Sequence, residues 1–279
     1  MLPSLPVVLT IAGFDPSSGA GVTADIKTIA AHGCYGIAAI TALTVQSTAG
    51  VRRTEPVDVG ILRDTLTALV EDVKVSAVHI GTLASADVVS EVCEFLKRTS
   101  LPNVVLDPVL AASSGARLLD DPGQKVMIEK LLPLTTVITP NAHEAGTLTG
   151  IAALNIDDMK QAAIQLRGMG AKNVVVTGGH MDVAIDLLSF ADGGVQTFKS
   201  ERLESNFTHG TGCAFSSSIA CHLAQGRPLA EAVLLAKAYV TAAISNGYRV
   251  GKGTNPVNHM YRMKNHPGGF VKKFASGRD

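Results

Sequence analysis

Tryptophan is absent from this 279-residue chain, and aromatic residues make up only 4% of it. Single-stranded nucleic acids are held by stacking on aromatic side chains, and the sequence offers no such platform. Charge is also sparse, at 17%, and evenly divided: 24 basic and 24 acidic residues give a formal net charge of +0. Without a run of one sign there is no basic stripe for a phosphate backbone, so nucleic acid is not an expected partner. Cysteine is scarce too. Cys34, Cys93, Cys213 and Cys221 form no C-x-x-C pair and match no zinc spacing, which fits a reduced, cytoplasmic protein. The longest apolar stretch, "GIAAITALTV", is too short to cross a bilayer, so no membrane partner is expected. The start, "MLPSLPVVLTIAGF", lacks a basic region and a cleavage site and reads as a first strand rather than a signal peptide.

What is plentiful is apolar material, at 46%, and glycine, at 27 residues. The first supports a sizeable core and the second many tight loops. Short β-branched runs alternate with stretches of helical period. Strands are expected at Pro6–Gly13 and at "IAAITALTVQ", "AVHIG", "NVVLDPV", "TTVITPN" and "NVVVTGG". Helices are expected in "VTADIKTIAAHG", at Val57–Val73, at Ala86–Thr99, near Gly123–Leu132 and at Asp157–Gly168. "AIDLLSF" and "GVQTFKSERLE" around "ADGG" read as a hairpin, and two helices separated by Gly226 and Pro228 follow Gly210. Strands that are apolar throughout, each followed by a helix, imply parallel pairing with helices on both faces. The expectation is one three-layer α/β/α domain over residues 1–279 with a mostly parallel central sheet; the tail from about 260 is unassigned.

Four stretches could carry chemistry. In "HGTGCAFSSSIACHLAQG", the N–H groups of Gly210, Thr211 and Gly212 open a long helix of small residues. Free N–H groups and the helix dipole make such a start an anion site; the plain alternative is a glycine turn capped by Thr211. Neither a P-loop nor G-x-G-x-x-G occurs in the chain. "FDPSSGAGVTADIKT" follows the first strand at the carboxyl end of the sheet, where open α/β folds bind ligands. There Asp25 reads either as a solvated helix-start acid or as an acceptor for a ligand amino or hydroxyl group. Gln46 ends "ITALTVQ" at the same edge, as an amide for a heteroaromatic ring or as a strand end facing water. Asp107 in "LDPV", and Asn141 with Glu144 in "TPNAHEA", follow strands as well. Two acids there can hold Mg²⁺ beside phosphates, or cap helices. Capping is the stronger alternative for Glu144. The remaining histidines, His79 among them, show no ligand spacing; His209 stands out only by abutting the anion loop.

Taken together, "IAGFDPSSGAGVTADIKT", "ITALTVQST", "LDPV", "TPNAHEA", "VTGGH" and "THGTGCAFSSSIA" resemble the hydroxymethylpyrimidine/phosphomethylpyrimidine kinase family of thiamine biosynthesis. That family belongs to the ribokinase-like superfamily, and the resemblance runs from about Pro6 to about Gly253. It implies a kinase using ATP and Mg²⁺ that converts 4-amino-5-hydroxymethyl-2-methylpyrimidine to its monophosphate and then to the pyrophosphate, commonly as a homodimer. It places Gly13, Asp25 and Gln46 in the pyrimidine pocket with Val109 beside the ring. Asp107 and Glu144 fall near Mg²⁺ and the phosphates. Asn141, Thr177 and the stretch Thr208, His209, Gly210, Thr211, Gly212 belong to the ATP side, and Cys213 lies at the acceptor oxygen.

Three positions depart from the family pattern. Thr82 stands where methionine is typical, Ser113 where a lysine often follows "LDPV", and Thr177 where many members have lysine. The two absent lysines remove possible phosphate contacts, and Thr82 bears on the shape of the pocket. Sugar kinases of the superfamily carry an aspartate base where this chain has Cys213. Two readings of that cysteine follow. The helix dipole can lower its pKa to give a thiolate base. Alternatively, a neutral thiol tolerates a phosphate acceptor that a carboxylate would repel, as one site taking both an alcohol and a phosphate requires. A small core cysteine is the plain alternative. Pyridoxal or pyridoxine kinase is the competing enzyme reading, and a non-catalytic pyrimidine-binding protein the reading from another class.

Overall fold

The computed structural model describes residues 5–112, 114–179 and 184–265. Ser113 and the end of the tail lie outside them. Among the described residues, nine strands form one sheet: β1 (Val7–Phe14), β2 (Tyr35–Ser47), β3 (Gly50–Pro56), β4 (Ala77–Ile80), β5 (Val104–Leu106), β6 (Val137–Ile138), β7 (Asn173–Gly178), β8 (Ala184–Ser189) and β9 (Val195–Ser200). Their order is β3-β2-β1-β4-β5-β6-β7-β8-β9. From β2 to β7 every pairing is parallel, and β3, β8 and β9 add antiparallel edges. The chain first builds outward from β1 to β2 and β3, then crosses back to lay β4 on the other side of β1. That reversal opens the crevice at the carboxyl edge where ligands bind in such sheets.

The pleat explains why the strands read as unbroken apolar runs. Leu9 and Ile11 of β1, Val78 and Ile80 of β4 and Val174 and Val176 of β7 face one core. Val8, Ala77 and Val175 face the other. Alternate residues point to opposite faces, and both faces are dry. Against the first face pack α2 (Val59–Asp72), α3 (Ala86–Thr99), α4 (Asp121–Val126), α5 (Ala142–Thr149) and α6 (Ile156–Gly168). Against the second lie α1 (Gly21–Ala31), α7 (Thr211–Ala224) and α8 (Leu229–Ser245). The three-layer α/β/α expectation holds.

Three elements differ from the sequence expectation. β3, "GVRRTEP", is too polar to read as a strand; it forms because β2 runs on to Ser47 and turns back in a hairpin. α5 has only eight residues, short for a periodic signal, yet Asn141 and Glu144 close a capping box at its start. A two-stranded parallel ribbon joins β10 (Phe207–His209) to β11 (Asn255–Pro256), tying "NPVNHMY" to the anion loop.

One core cluster carries a pH signature. His32, at the end of α1, has Nδ1 2.8 Å from Thr28 O and Nε2 2.9 Å from Ser218 Oγ. Its ring packs edge-on to Tyr239 and His222. A carbonyl can only accept, so Nδ1 carries the proton and Nε2 accepts from Ser218; the ring is neutral. Burial holds its pKa at about 4, against an ordinary 6.5. A histidine with a lowered folded pKa adds stability above the unfolded value and loses it as pH falls toward the folded one. His32 therefore accounts for about 3 kcal/mol lost between pH 6.5 and 4. The buried acids Asp107 and Glu144, whose pKa values are raised, push the opposite way. Denaturant titrations of wild type and His32→Gln isolate the effect: the variant's loss across this window is smaller by that amount. Equal losses contradict the assignment.

Candidate active site

The loop after β1 is built around Asp15. One of its oxygens accepts from Ser17 N (2.8 Å) and Ser17 Oγ (2.7 Å), the other from Gly19 N (3.2 Å) and Ala20 N (2.9 Å). That second oxygen also takes His209 Nε2 at 2.8 Å. Asp15 therefore fastens the first loop to the loop that precedes α7. Burial pushes its pKa up, but these hydrogen bonds, that of His209 foremost, outweigh it and hold its carboxyl below the usual range. Gly19 is required here, because a side chain would run into the His209 ring.

Gln46 stands beside this latch. Its Oε1 lies 3.2 Å from Thr44 Oγ1, whose single proton is shared with the nearer Phe14 O (2.9 Å), and its Nε2 lies 3.4 Å from His209 Nε2. Because His209 Nε2 already donates to Asp15, it gives that amide no acceptor. The Gln46 N–H groups are left to donate to a ligand nitrogen or oxygen. Gly13 packs against Thr82, a Cβ at 13 lying 3.3 Å from Thr82 Cβ.

α7 starts at Thr211 with Gly210 as its N-cap, at φ +82°, and neither a side-chain cap nor an acid occupies the first turn. Thr211 Oγ1 donates back to Thr208 O (2.7 Å) instead of capping. The helix start is therefore free to meet an anion, and Gly212 sits against Asp107, with 3.4 Å from its Cβ position to Oδ2. Thr208 is exposed at the entrance, and His209 is largely covered.

Cys213 follows in the same turn, partly open to solvent. Burial of its thiol and the Asp25, Asp107 and Asp15 carboxylates push its pKa well above the ordinary value, and the Gly21 N–H draws it down only in part. This corrects the thiolate reading. A helix start contributes about 0.3–1 kcal/mol toward the anion, whereas burial and like charge shift pKa by several units. The thiol is neutral at pH 7.

Of the two readings of Asp25, burial excludes the solvated one. The side chain is fully buried, and its oxygens accept from Thr10 Oγ1 and Ser217 Oγ at 2.7 Å each. It lies beside His79, 3.3 Å from its Nδ1. Asp107, also buried, is followed by a tight turn in which Val109 N donates to Asp107 O (2.8 Å) and the Val109 side chain stays half-buried.

Glu144 accepts from Asn141 N (2.9 Å), and Asn141 Oδ1 accepts from Glu144 N (2.9 Å). The expected capping role of Glu144 is thus present, worth about 1 kcal/mol. Burial first, then the nearby Asp107 charge, raises the Glu144 pKa, and the N–H groups of Asn141 and Leu110 lower it in part. Asp107 is raised as well, chiefly by burial and then by Asp25, against the His79 charge. Asp107 and Glu144 thus stand as two buried acids at one edge of the sheet. Among the described residues no group of three or more His, Cys, Asp or Glu could hold a metal. The pair suits a hard cation that takes one or two carboxylates and fills its shell with water and phosphate. Glu144 Oε2 is engaged by the Asn141 N–H, so this carboxylate can serve such a cation directly through its other oxygen or through water.

Asn141 and Thr177 are bridged at the ends of β6 and β7, with Thr177 N donating to Pro140 O (2.9 Å). Directly opposite Thr177 on β8 is Asp186, which holds Lys237 of α8 at 2.8 Å in a buried pair. A cation thus lies next to the strand position where the resemblance leads one to look for lysine. Neither Lys237 nor Asp15, His79 or Ser216 was identifiable from the sequence. Their partners stand 51 to 194 residues away, and only the fold brings them together.

A parallel sheet, an uncapped helix start and acids beneath it define a ribokinase-like phosphotransferase. Residues 15–258 match the family model described as phosphomethylpyrimidine kinase. The chain belongs to that family. It is 42% identical to the hydroxymethylpyrimidine/phosphomethylpyrimidine kinase of Haemophilus influenzae over 90% of this chain and 96% of the relative. Among solved structures, the phosphomethylpyrimidine kinase of Clostridium difficile 630 superposes with a TM-score of 0.77 at 40% identity, covering 86% of this chain and 99% of that one. An ADP complex of Bacillus subtilis pyridoxal kinase superposes at 0.87 with 33% identity, covering 94% and 100%.

Proposed function

We propose that the protein transfers the γ-phosphoryl group of ATP to the hydroxymethyl group of 4-amino-5-hydroxymethyl-2-methylpyrimidine, and then to the resulting monophosphate, in thiamine biosynthesis. Family membership supports the reaction. The observation that carries the site assignment is the open start of α7 lying against Asp107. The N–H groups of Gly210, Thr211 and Gly212 receive the transferring phosphoryl group. Phosphoryl transfer relies on positioning and charge stabilisation more than on a strong base, so a neutral Cys213 at the acceptor oxygen is sufficient. Asp107 and Glu144 would hold Mg²⁺, which when bound neutralises charge on the phosphates. Asn141, Thr177, Thr208 and His209 line the nucleotide side. The ADP-bound relative supports a nucleotide here.

On the acceptor side, Gln46 presents N–H groups to a ring nitrogen, and Gly13, Thr82 and Val109 give the ring a flat, mostly apolar bed. The likeness to a pyridoxal kinase favours a second reading, in which the ring is a pyridine. Comparing kcat/KM for the pyrimidine and for pyridoxal separates the two. The pyrimidine exceeds pyridoxal by about 10²-fold or more; the reverse ratio overturns the pyrimidine assignment.

A single domain carries this chemistry. A homodimer is supported by the exposed Ile40, Leu43 and Val45 on β2, and sedimentation velocity reads its mass directly. A cytoplasmic setting agrees with four cysteines in the thiol form. Among the described residues no helix is long and apolar enough to cross a membrane.

A further inference from the structure

Beneath the anion loop runs a chain of buried polar groups that the reaction scheme leaves unused. His79, on β4, is wholly enclosed. Its Nδ1 lies 3.2 Å from Thr10 Oγ1 and 3.3 Å from Asp25 Oδ2. Its Nε2 lies 2.9 Å from Ser216 Oγ. Ser216, one turn into α7, reaches Asp107 Oδ2 at 3.3 Å, Gly212 O at 2.9 Å and Cys213 O at 3.3 Å. Thr10, Asp25, Ser216 and Ser217 are all fully buried. Charged groups face the ring from two elements: Asp25 of α1 and Asp107 after β5.

Proton counting decides how this chain is wired. Thr10 has one hydroxyl proton and gives it to Asp25 at 2.7 Å, so its oxygen can only accept from His79. Nδ1 therefore carries a proton. The state of Nε2 then fixes Ser216. If Nε2 is bare, the Ser216 proton must turn to it, and Asp107 and Gly212 O lose a donor. If Nε2 carries a proton, it donates to Ser216, whose own proton is free to point at Asp107 and the first turn of α7. His32, by contrast, has no carboxylate beside it and has Arg262 nearby, so that ring stays neutral, whereas His79 faces a carboxylate.

We propose that His79 is a positioning residue: held by Asp25 and Thr10 with both nitrogens protonated, it turns the Ser216 hydroxyl toward Asp107 and the Gly212 carbonyl. The buried series Asp25–His79–Ser216–Asp107 thus ties α1 to the group that faces the phosphates. This rests on the kinase reading insofar as Asp107 serves the phosphates. The neighbouring carboxylates outweigh burial in raising the His79 pKa, which agrees with the wiring.

Nitrogen-15 NMR of the wild-type protein near pH 7, with Ser216→Ala used to assign the ring, tests the wiring without reference to activity. Two protonated ring nitrogens on His79 are expected; a bare Nε2 overturns the proposal. Kinetics test the coupling. Ser216→Ala and His79→Gln each lower kcat about tenfold with KM for the pyrimidine changed less than about twofold, and the double variant is no worse than the poorer single one. Multiplying losses overturn the proposal. Asp107→Asn separates the two levels: if it is inactive while Ser216→Ala is fully active, only this inference fails. If Asp107→Asn keeps full activity, the phosphate-side reading fails instead.

Discussion

Gly210→Ala lowers kcat by about 10²–10³, the loss typical of spoiling an anion hole. Two separate effects combine in this result. Gly210 has φ +82°, which costs a side-chain-bearing residue about 1 kcal/mol. More important, a Cβ there would drive into the carbonyl oxygen of Gly19. Either the first loop lifts, pulling Asp15 off His209, or the first turn of α7 shifts away from Asp107. Both displace the N–H groups that must meet the phosphoryl oxygens. Gly226 provides the control, since its φ is +80° but a Cβ there meets nothing within 4 Å. Gly226→Ala should cost about 1 kcal/mol, or roughly 2–4 °C in Tm, with kcat unchanged. Steady-state kinetics and melting curves of both variants check this. Equal kinetic losses would mean that backbone strain, and not the Gly19 contact, governs position 210.

Cys213→Asp separates the two phosphorylations. The first acceptor is an alcohol, and a carboxylate at 213 can take its proton, so that step stays within about tenfold of wild type. The second acceptor is already an anion. A carboxylate at 213 would add to Asp15, Asp25 and Asp107 around the same point. Repulsion between unit charges about 4 Å apart amounts to roughly 4 kcal/mol in a partly screened site. The second step therefore falls by at least about 10²-fold. Cys213→Ser, also neutral, keeps both steps within about tenfold. Rates measured separately with the alcohol and with the monophosphate decide the matter. Parallel losses in Cys213→Asp, or an inactive Cys213→Ser, contradict the neutral-thiol account.

The layers of the fold were legible because they rest on periodicity. β1, β4 and β7 are buried on both faces and mostly apolar, and α3 and α6 repeat at helical spacing. β3 and α5 were not, since a polar hairpin arm and an eight-residue helix leave no periodic trace. Position along the carboxyl edge was legible for Gln46, Asp107 and Asn141 from strand ends alone. Protonation and partnership were not. Cys213 sits at a helix start, which by itself suggests a thiolate. The carboxylates that reverse that conclusion come from residues 106 to 198 positions away in sequence. For Asp25 the sequence left a solvated acid and a ligand acceptor both open, because Thr10 and Ser217, which enclose it, lie 15 and 192 positions distant. Likewise Asp15 gave no hint of its bond to His209 until β1 and β10 were placed together.

The most direct test of the account is a time course of the purified enzyme with ATP, Mg²⁺ and 4-amino-5-hydroxymethyl-2-methylpyrimidine, with products resolved by mass. The account predicts the monophosphate first and then its conversion to the pyrophosphate by the same preparation. Accumulation of monophosphate alone would contradict the claim that this one site accepts both an alcohol and a phosphate. Phosphorylation of pyridoxal with none of the pyrimidine would contradict the substrate assignment itself.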